Sequence, residues 1–124
     1  MLKEETLTRE IVGAAIDVHR ELGPGLLESV YEECLAFELS QRGLAFERQF
    51  GVPVSYKGNS LNANLRIDLL VDGKVVVELK SIDAILPIHE AQLLTYLRLM
   101  QCSVGLLINF NVPVLKQGIV RRVL

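Results

Sequence analysis

The first third of the chain places its apolar residues at the spacing of α-helices. Apolar side chains recur three or four positions apart over residues 5–22 and again over residues 26–42. Gly23-Pro24-Gly25 lies between the two segments and Gly43 follows the second, and both glycine and proline end helices. The pattern therefore predicts two helices joined by a short corner.

From residue 45 onward the apolar residues alternate with polar ones or form short runs, which is typical of β-strands. Residues 46–56 contain β-forming residues that Gly51 and Pro53 interrupt, so an edge strand or a bulged strand is predicted there. Two further strands are predicted at residues 61–71 and 74–81. These segments form the first part of a sheet.

A third helix and two more strands complete the predicted fold. Pro87 is favourable in a first helical turn and opens a helix over residues 87–101. Residues 103–110 are almost continuously apolar, which indicates a strand buried on both faces, and residues 118–123 form a last short strand. The order α-α-β-β-β-α-β-β predicts a single α/β (α+β) domain over residues 1–124, with a small mixed sheet flanked by helices.

Charged residues interrupt the apolar pattern of the central hairpin. The apolar residues that alternate along its two strands are Leu65, Ile67, Leu69 and Val71 on the first and Val75, Val77 and Leu79 on the second. If both sets pack against one side of the sheet, the charged residues between them share the other side. These residues are Arg66, Asp68, Glu78 and Lys80.

This arrangement requires a loop with an odd number of residues, because a one-residue slip turns every side chain to the opposite face. A three-residue loop of residues 71–73, with Gly73 left-handed, satisfies the requirement. A two-residue Asp72-Gly73 turn would instead place Asp68 opposite the face of Glu78. The pattern therefore favours the three-residue loop.

Two interpretations of the charged hairpin remain open. Buried charges are costly unless they are paired or bind a metal. In the first interpretation, Lys80 forms a structural ion pair with Glu78 or Asp68. In the second, the two carboxylates bind Mg²⁺. In the second case the lysine can orient or deprotonate an attacking water and stabilise negative charge. The following helix carries His89, Gln92 and Tyr96 on one face, which is either a solvated stripe or one wall of the site.

Composition and charge narrow the class of protein. Half of the 124 residues are hydrophobic and the net charge is −2, which indicates a globular chain and disfavours a large non-specific nucleic-acid surface. No apolar run reaches the length of a membrane span, and the polar N-terminus predicts no signal peptide. Cys34 and Cys102 lie in apolar stretches and are expected to be buried thiols, so a cytoplasmic protein without a zinc site is predicted.

Three motifs resemble those of a known superfamily. Asp68 followed by Glu78-Leu79-Lys80 resembles the D…(D/E)XK signature of PD-(D/E)XK nucleases, although Ile67 stands where the naming proline precedes the aspartate. The segment from Gln92 to Tyr96 resembles the QxxxY motif of the exonuclease branch. The third motif, Gly25-Leu-Leu-Glu28-Ser-Val-Tyr31, resembles the one that names the GxxExxY protein family of this superfamily.

The resemblance implies a restriction-endonuclease-like core and a metal site. Asp68 and Glu78 would hold Mg²⁺, with Mn²⁺ as a substitute, helped by the Leu79 carbonyl and by Glu28 as a further ligand or water-holder. Lys80 would serve the nucleophilic water.

The same resemblance assigns the surrounding residues. Gln92 and Tyr96 would position the Lys80 region or the scissile phosphate, His89 would line the pocket, and Arg66 is a candidate substrate contact. Gly25 and Tyr31 would be structural.

The sequence thus predicts a metal-dependent nuclease that hydrolyses phosphodiester bonds in nucleic acid, with DNA as the leading substrate. Two alternatives are a nucleic-acid-binding protein with little turnover and a protein-interaction module that reuses the scaffold. Specificity is expected to come from a homo-oligomer or a companion protein, since the chain holds little more than a catalytic core.

Overall fold

A computed structural model describes residues 3–124, which form three helices, seven strands and one 3-10 turn. The helices are α1 (Glu5–Leu22), α2 (Glu28–Gln41) and α3 (Pro87–Met100), and the 3-10 turn is Leu115–Gly118. The strands are β1 (Phe46–Gly51), β2 (Val54–Tyr56), β3 (Asn59–Leu61), β4 (Arg66–Val71), β5 (Val75–Lys80), β6 (Val104–Asn109) and β7 (Ile119–Val123).

Five strands form one mixed sheet in the order β1-β4-β5-β6-β7. Strands β5 and β6 are parallel, and the other neighbours are antiparallel. A parallel pair needs a crossover connection, which α3 supplies. Strands β2 and β3 form a separate two-stranded hairpin. The predicted fold class, a mixed sheet flanked by helices, is confirmed.

The helices cover opposite faces of the sheet. Helices α1 and α2 share one apolar core with β5 and β6, and α3 covers a second core on the other face through Leu93 and Leu97. Gly105 of β6 lies directly beneath α3, where an added Cβ would lie 2.8 Å from Leu93 Cδ1. This glycine therefore lets α3 approach the sheet closely. Within residues 3–124, no helix is long and apolar enough to cross a membrane.

The strand predicted over residues 61–71 is wrong in its first half. β3 ends at Leu61 and β4 begins at Arg66, and the four residues between them are irregular. Asn64 has a φ of 55°, a left-handed conformation that asparagine tolerates better than most residues. The strand predicted over residues 46–56 likewise divides in two before Val54. Both breaks allow β2 and β3 to form their own hairpin.

The loop between β4 and β5 has the predicted odd length but begins one residue later. Val71 pairs with Val75, so the loop consists of residues 72–74 instead of 71–73. Asp72 and Gly73 both have positive φ, at 54° and 63°, and the Lys74 amide donates to the Val71 carbonyl. Because the parity is unchanged, Asp68 and Glu78 still occupy matching positions on the two strands.

The predicted common face of the first hairpin strand is wrong, because β4 reverses its faces at Asp68. Leu65 and Ile67 pack into the α3 core, whereas Leu69 and Val71 pack into the α1–α2 core. An uninterrupted strand would keep all four on one face. The reversal therefore lies at Asp68.

Strand β1 makes the same change, since Phe46 packs on the α1–α2 side and Phe50 on the α3 side. Gln49, with a φ of 49°, lies between them and faces Asp68 in the strand register. Both strands therefore exchange their faces at the same position, the Gln49–Asp68 pair, which has no backbone pairing.

The two cysteines differ in burial. Cys102 is buried with 8% exposure, but Cys34 is only partly buried, so the prediction of two buried thiols holds for Cys102 alone. Both are free thiols.

Candidate active site

The Asp68 carboxylate lies where β4 and β5 separate. Backbone pairing of the two strands starts at Val71 and ends at the Leu69–Val77 pair, one residue before Asp68. Asp68 Oδ2 then accepts a hydrogen bond from the Leu79 N–H at 2.7 Å, so a side chain replaces the next backbone acceptor. The N–H and C=O of one strand residue point the same way, so the Leu79 carbonyl also faces this gap.

Glu78 lies on β5 beside this gap and is buried, with 8% exposure. Its Oε1 atom is buried and has no hydrogen-bond partner in the described chain. Burial, followed by the negative charge of Asp68, raises the pKa of Glu78 to about 9. A buried polar atom without a partner is rare and is commonly explained by an ion or a catalytic role.

Lys80 follows two residues later on β5 and is half-buried. Its positive charge acts to lower the pKa of Glu78, against the larger effects of burial and Asp68. No ion pair involving Lys80 forms within residues 3–124. The structural ion pair, one of the two interpretations of the hairpin, is therefore not observed, and the ammonium is available to a ligand.

The polar stripe predicted on α3 divides into three different environments. Tyr96 packs against the α3 core, and burial, then the charges of Glu78 and Asp68, raise the pKa of its phenol. Gln92 lies one turn earlier on α3 and is exposed. His89 Nδ1 accepts a hydrogen bond from the Leu86 N–H at 2.9 Å and thereby caps the start of α3. Because Nδ1 is engaged in this hydrogen bond, only Nε2 of His89 can contact a ligand in the pocket.

Glu28 and Arg66 are exposed side chains on two different elements, α2 and β4. Glu28 is exposed in the first turn of α2, and no group of three His, Cys, Asp or Glu side chains suited to a metal occurs within residues 3–124. Glu28 lies one helical turn before Glu32, whose side chain is linked to Asp68 through Gln49. Arg66 is exposed and its Nη1 donates to the Gln49 carbonyl at 3.1 Å.

Polar residues that the sequence analysis did not select support the site. Gln49 Nε2 donates to Glu32 Oε1 at 2.6 Å and to Asp68 Oδ1 at 3.2 Å. Glu32 is buried on α2, at helical spacing from buried Leu35 and Leu39. A glutamate among the apolar positions of a helix is unusual, and this feature of the sequence could have indicated that Glu32 is a functional residue. The sequence contains no comparable signal for Gln49, because a glutamine at an exposed strand position is common.

Two further side chains anchor the end of β5. Asn109 is 2% exposed, and its side chain accepts from the Ile82 N–H at 3.1 Å and donates to the Ile82 carbonyl at 3.0 Å. Ser81 Oγ donates to the Leu26 carbonyl at 2.5 Å, which ties the α1–α2 corner to the same place. The segment after Lys80 is therefore fixed from both sides.

A model of the PD-(D/E)XK nuclease superfamily matches residues 5–123. The chain belongs to this superfamily. Comparisons with curated proteins and with solved structures find no significant match. In this PD-(D/E)XK protein the signature residues Asp68, Glu78 and Lys80 meet at the gap between β4 and β5. The predicted superfamily is thereby confirmed.

The oxygen atoms at this gap fit a divalent cation, which nucleases of the PD-(D/E)XK superfamily generally use. Glu78 Oε1 has no protein partner, and each Asp68 oxygen accepts a single hydrogen bond and keeps a free lone pair. Carboxylate and carbonyl oxygens are the ligands that hard cations prefer. A bound cation would also compensate the cost of burying Glu78 in its charged form.

Proposed function

We propose that the protein is a nuclease of the GxxExxY family that hydrolyses phosphodiester bonds in DNA with Mg²⁺, for which Mn²⁺ can substitute. The main support is the unpartnered, buried Oε1 of Glu78 next to Asp68 at the separation of two strands. In a carboxyl group with a purely structural role, this buried oxygen would be expected to have a partner. Residues 1–124 act in this proposal as one nuclease domain.

Asp68, Glu78 and the Leu79 carbonyl would hold the metal. Bound there, the cation would lower the pKa of a water molecule and offset the charge of the phosphate. Glu78 must lose its proton when the cation binds, since its pKa of about 9 keeps it protonated at neutral pH otherwise. Cation binding is therefore expected to release a proton.

The remaining residues would act on water and phosphate. The Lys80 ammonium orients the attacking water and stabilises the negative charge that develops on the phosphate oxygens. The Tyr96 hydroxyl, whose pKa is raised by burial and by the charges of Glu78 and Asp68, donates to a phosphate oxygen, and Gln92 and His89 extend this polar wall. Arg66 contacts the substrate backbone at the rim.

Lys80→Ala tests this proposal, with Lys74→Ala as a matched control. Lys74 lies just before the other end of β5, and its ammonium nitrogen pairs with Asp72 of the same loop at 3.7 Å. Cleavage of linear and circular DNA, single- and double-stranded, is measured with Mg²⁺, Mn²⁺ or EDTA. We expect Lys80→Ala to lose about 100-fold or more of the rate, and Lys74→Ala to keep the wild-type rate.

Cleavage that persists in Lys80→Ala, or in EDTA, would refute the assigned mechanism. If the wild type cuts none of these DNA substrates, RNA is tested next. A protein that binds nucleic acid or a protein partner without cutting would fit the alternative functions of this scaffold.

A further inference from the structure

A chain of three polar side chains connects α2 to the carboxylate pair. The Gln49 amide nitrogen donates one hydrogen to Glu32 Oε1 at 2.6 Å and one to Asp68 Oδ1 at 3.2 Å. A primary amide has two such hydrogens, so both carboxylates are served by one nitrogen. The amide therefore links a helix on one face of the sheet to the gap between β4 and β5.

The backbone at Gln49 makes this link possible. Its φ of 49° is left-handed, a conformation that is strained for a non-glycine residue. This is the point at which β1 changes faces between Phe46 and Phe50. Strained backbone of this kind persists where surrounding contacts hold it, and here the side-chain hydrogen bonds to Glu32 and Asp68 hold it.

Glu32 provides a fixed end for the chain. It is buried with 8% exposure, and Arg48 Nε donates to its Oε2 at 3.1 Å. Arg48 also pairs with exposed Glu33 at 3.0 Å. The hydrogen bond from Arg48 fixes the direction of the Glu32 carboxylate, so this carboxylate holds the Gln49 amide in one orientation.

We propose that Gln49 and Glu32 are positioning residues that orient Asp68 for cation binding. The Gln49 amide fixes Oδ1 of Asp68 and the Leu79 N–H fixes Oδ2, which together lock the plane of the carboxylate. The inference rests on the proposed function, since it takes Asp68 as a metal ligand. Residues that orient a metal ligand typically strengthen metal binding by about 10–100-fold.

The test is Mn²⁺ binding by calorimetry at fixed pH, which needs no cleavage. Gln49→Leu removes both hydrogen bonds and should weaken Mn²⁺ binding by about 10–100-fold. Glu47→Leu on the same strand is the control, since Glu47 is exposed and should leave binding unchanged.

A double-mutant cycle separates orientation from general loss of structure. Glu32→Leu and Gln49→Leu act through the same bond, so the double variant should be little weaker than Gln49→Leu alone. Thermal midpoints are measured alongside. Additive losses in affinity would show that Glu32 does not act through Gln49 and would overturn the inference.

The outcomes distinguish this inference from the proposed function. If the wild type binds Mn²⁺, Asp68→Asn does not, and Gln49→Leu binds as tightly as the wild type, then the positioning role is refuted and the metal site stands. If the wild type binds no Mn²⁺ and Asp68→Asn is indistinguishable from it, both are refuted together.

Discussion

The two faces of the sheet differ in whether their buried polar groups have hydrogen-bond partners. Under α1 and α2, the hydroxyl of Tyr31 donates to the Gly23 carbonyl at 2.6 Å, and His19 Nε2 is hydrogen-bonded to the Val112 carbonyl at 2.8 Å. Under α3, Glu78 Oε1 is buried without a partner. An unpartnered polar atom costs stability, so the first face is built for folding and the second carries a cost that a ligand can remove.

The Tyr31 ring shows how the first face is closed. It is fully buried and stacks on Phe110 with centroids 4.3 Å apart, and its hydroxyl also accepts from the Leu26 N–H. These contacts hold the corner at which Gly25 has a φ of 95°. The structural roles expected for Tyr31 and Gly25 agree with this arrangement.

The largest expected effect is on the first face. Phe110→Ala should lower the free energy of unfolding by about 3–5 kcal/mol, because a fully buried aromatic ring leaves a cavity and Tyr31 loses its stacking partner. Urea denaturation measures this change, with exposed Phe37→Ala as the control, expected within about 0.5 kcal/mol of wild type. A loss in Phe110→Ala as small as that of the control would break the contrast between the faces.

The second prediction concerns pH on the other face. The pKa of Glu78 is raised from 4.5 to about 9 in the folded protein, so below pH 4.5 the group is protonated in both states and costs nothing. As pH rises from there toward 9, the unfolded chain releases a proton that the folded chain keeps, and stability without metal falls. Above the folded pKa the loss is complete.

Glu78→Gln should lack this decline. Between pH 6 and pH 8 in EDTA, its advantage over the wild type in free energy of unfolding should grow by about 1–3 kcal/mol. Glu47→Gln, exposed on β1, should show no growing advantage. Parallel pH curves for wild type and Glu78→Gln would contradict the assigned environment of Glu78, and the same variant should lose Mn²⁺ binding.

The smallest expected effect is at Tyr96. Tyr96→Phe removes the hydroxyl that is proposed to donate to a phosphate oxygen, so kcat for DNA cleavage should fall about tenfold while stability changes by less than about 0.5 kcal/mol. Tyr56→Phe is the control, since Tyr56 is 60% exposed on the β2–β3 hairpin. Equal activity of Tyr96→Phe and wild type would remove the hydroxyl from the proposed mechanism.

Local patterns predicted most of the elements correctly. The bounds of α1 match the helical spacing, and the apolar run of residues 103–110 contains β6. The prediction that Asp68 and Glu78 lie on one side of the hairpin combined strand alternation with an odd loop length, and the odd length is observed. These features are determined by residues that are close together in the sequence, so the sequence of one protein is enough to predict them.

The missed features depend on distant contacts. Alternation along a strand assumes an unbroken ladder, so the reversal at Asp68 was invisible in the sequence. The bond from Gln49 to Glu32 joins residues 17 positions apart and requires the docking of α2 beside β1. The family resemblance places His89 in the pocket, but it carries no information about the hydrogen bond that His89 accepts from the Leu86 N–H.

The hydrogen bond from Leu79 to Asp68 makes a metal-ligand candidate part of the sheet itself. Any motion that turns this carboxylate away also breaks a rung of the ladder, so the two events are coupled. Hydrogen exchange of the Leu79 amide therefore reports on Asp68, because this amide proton exchanges with solvent only when its hydrogen bond to the carboxylate is broken. Occupancy of the site can be followed there in a nuclear magnetic resonance spectrum, without a substrate and without a label on the side chain.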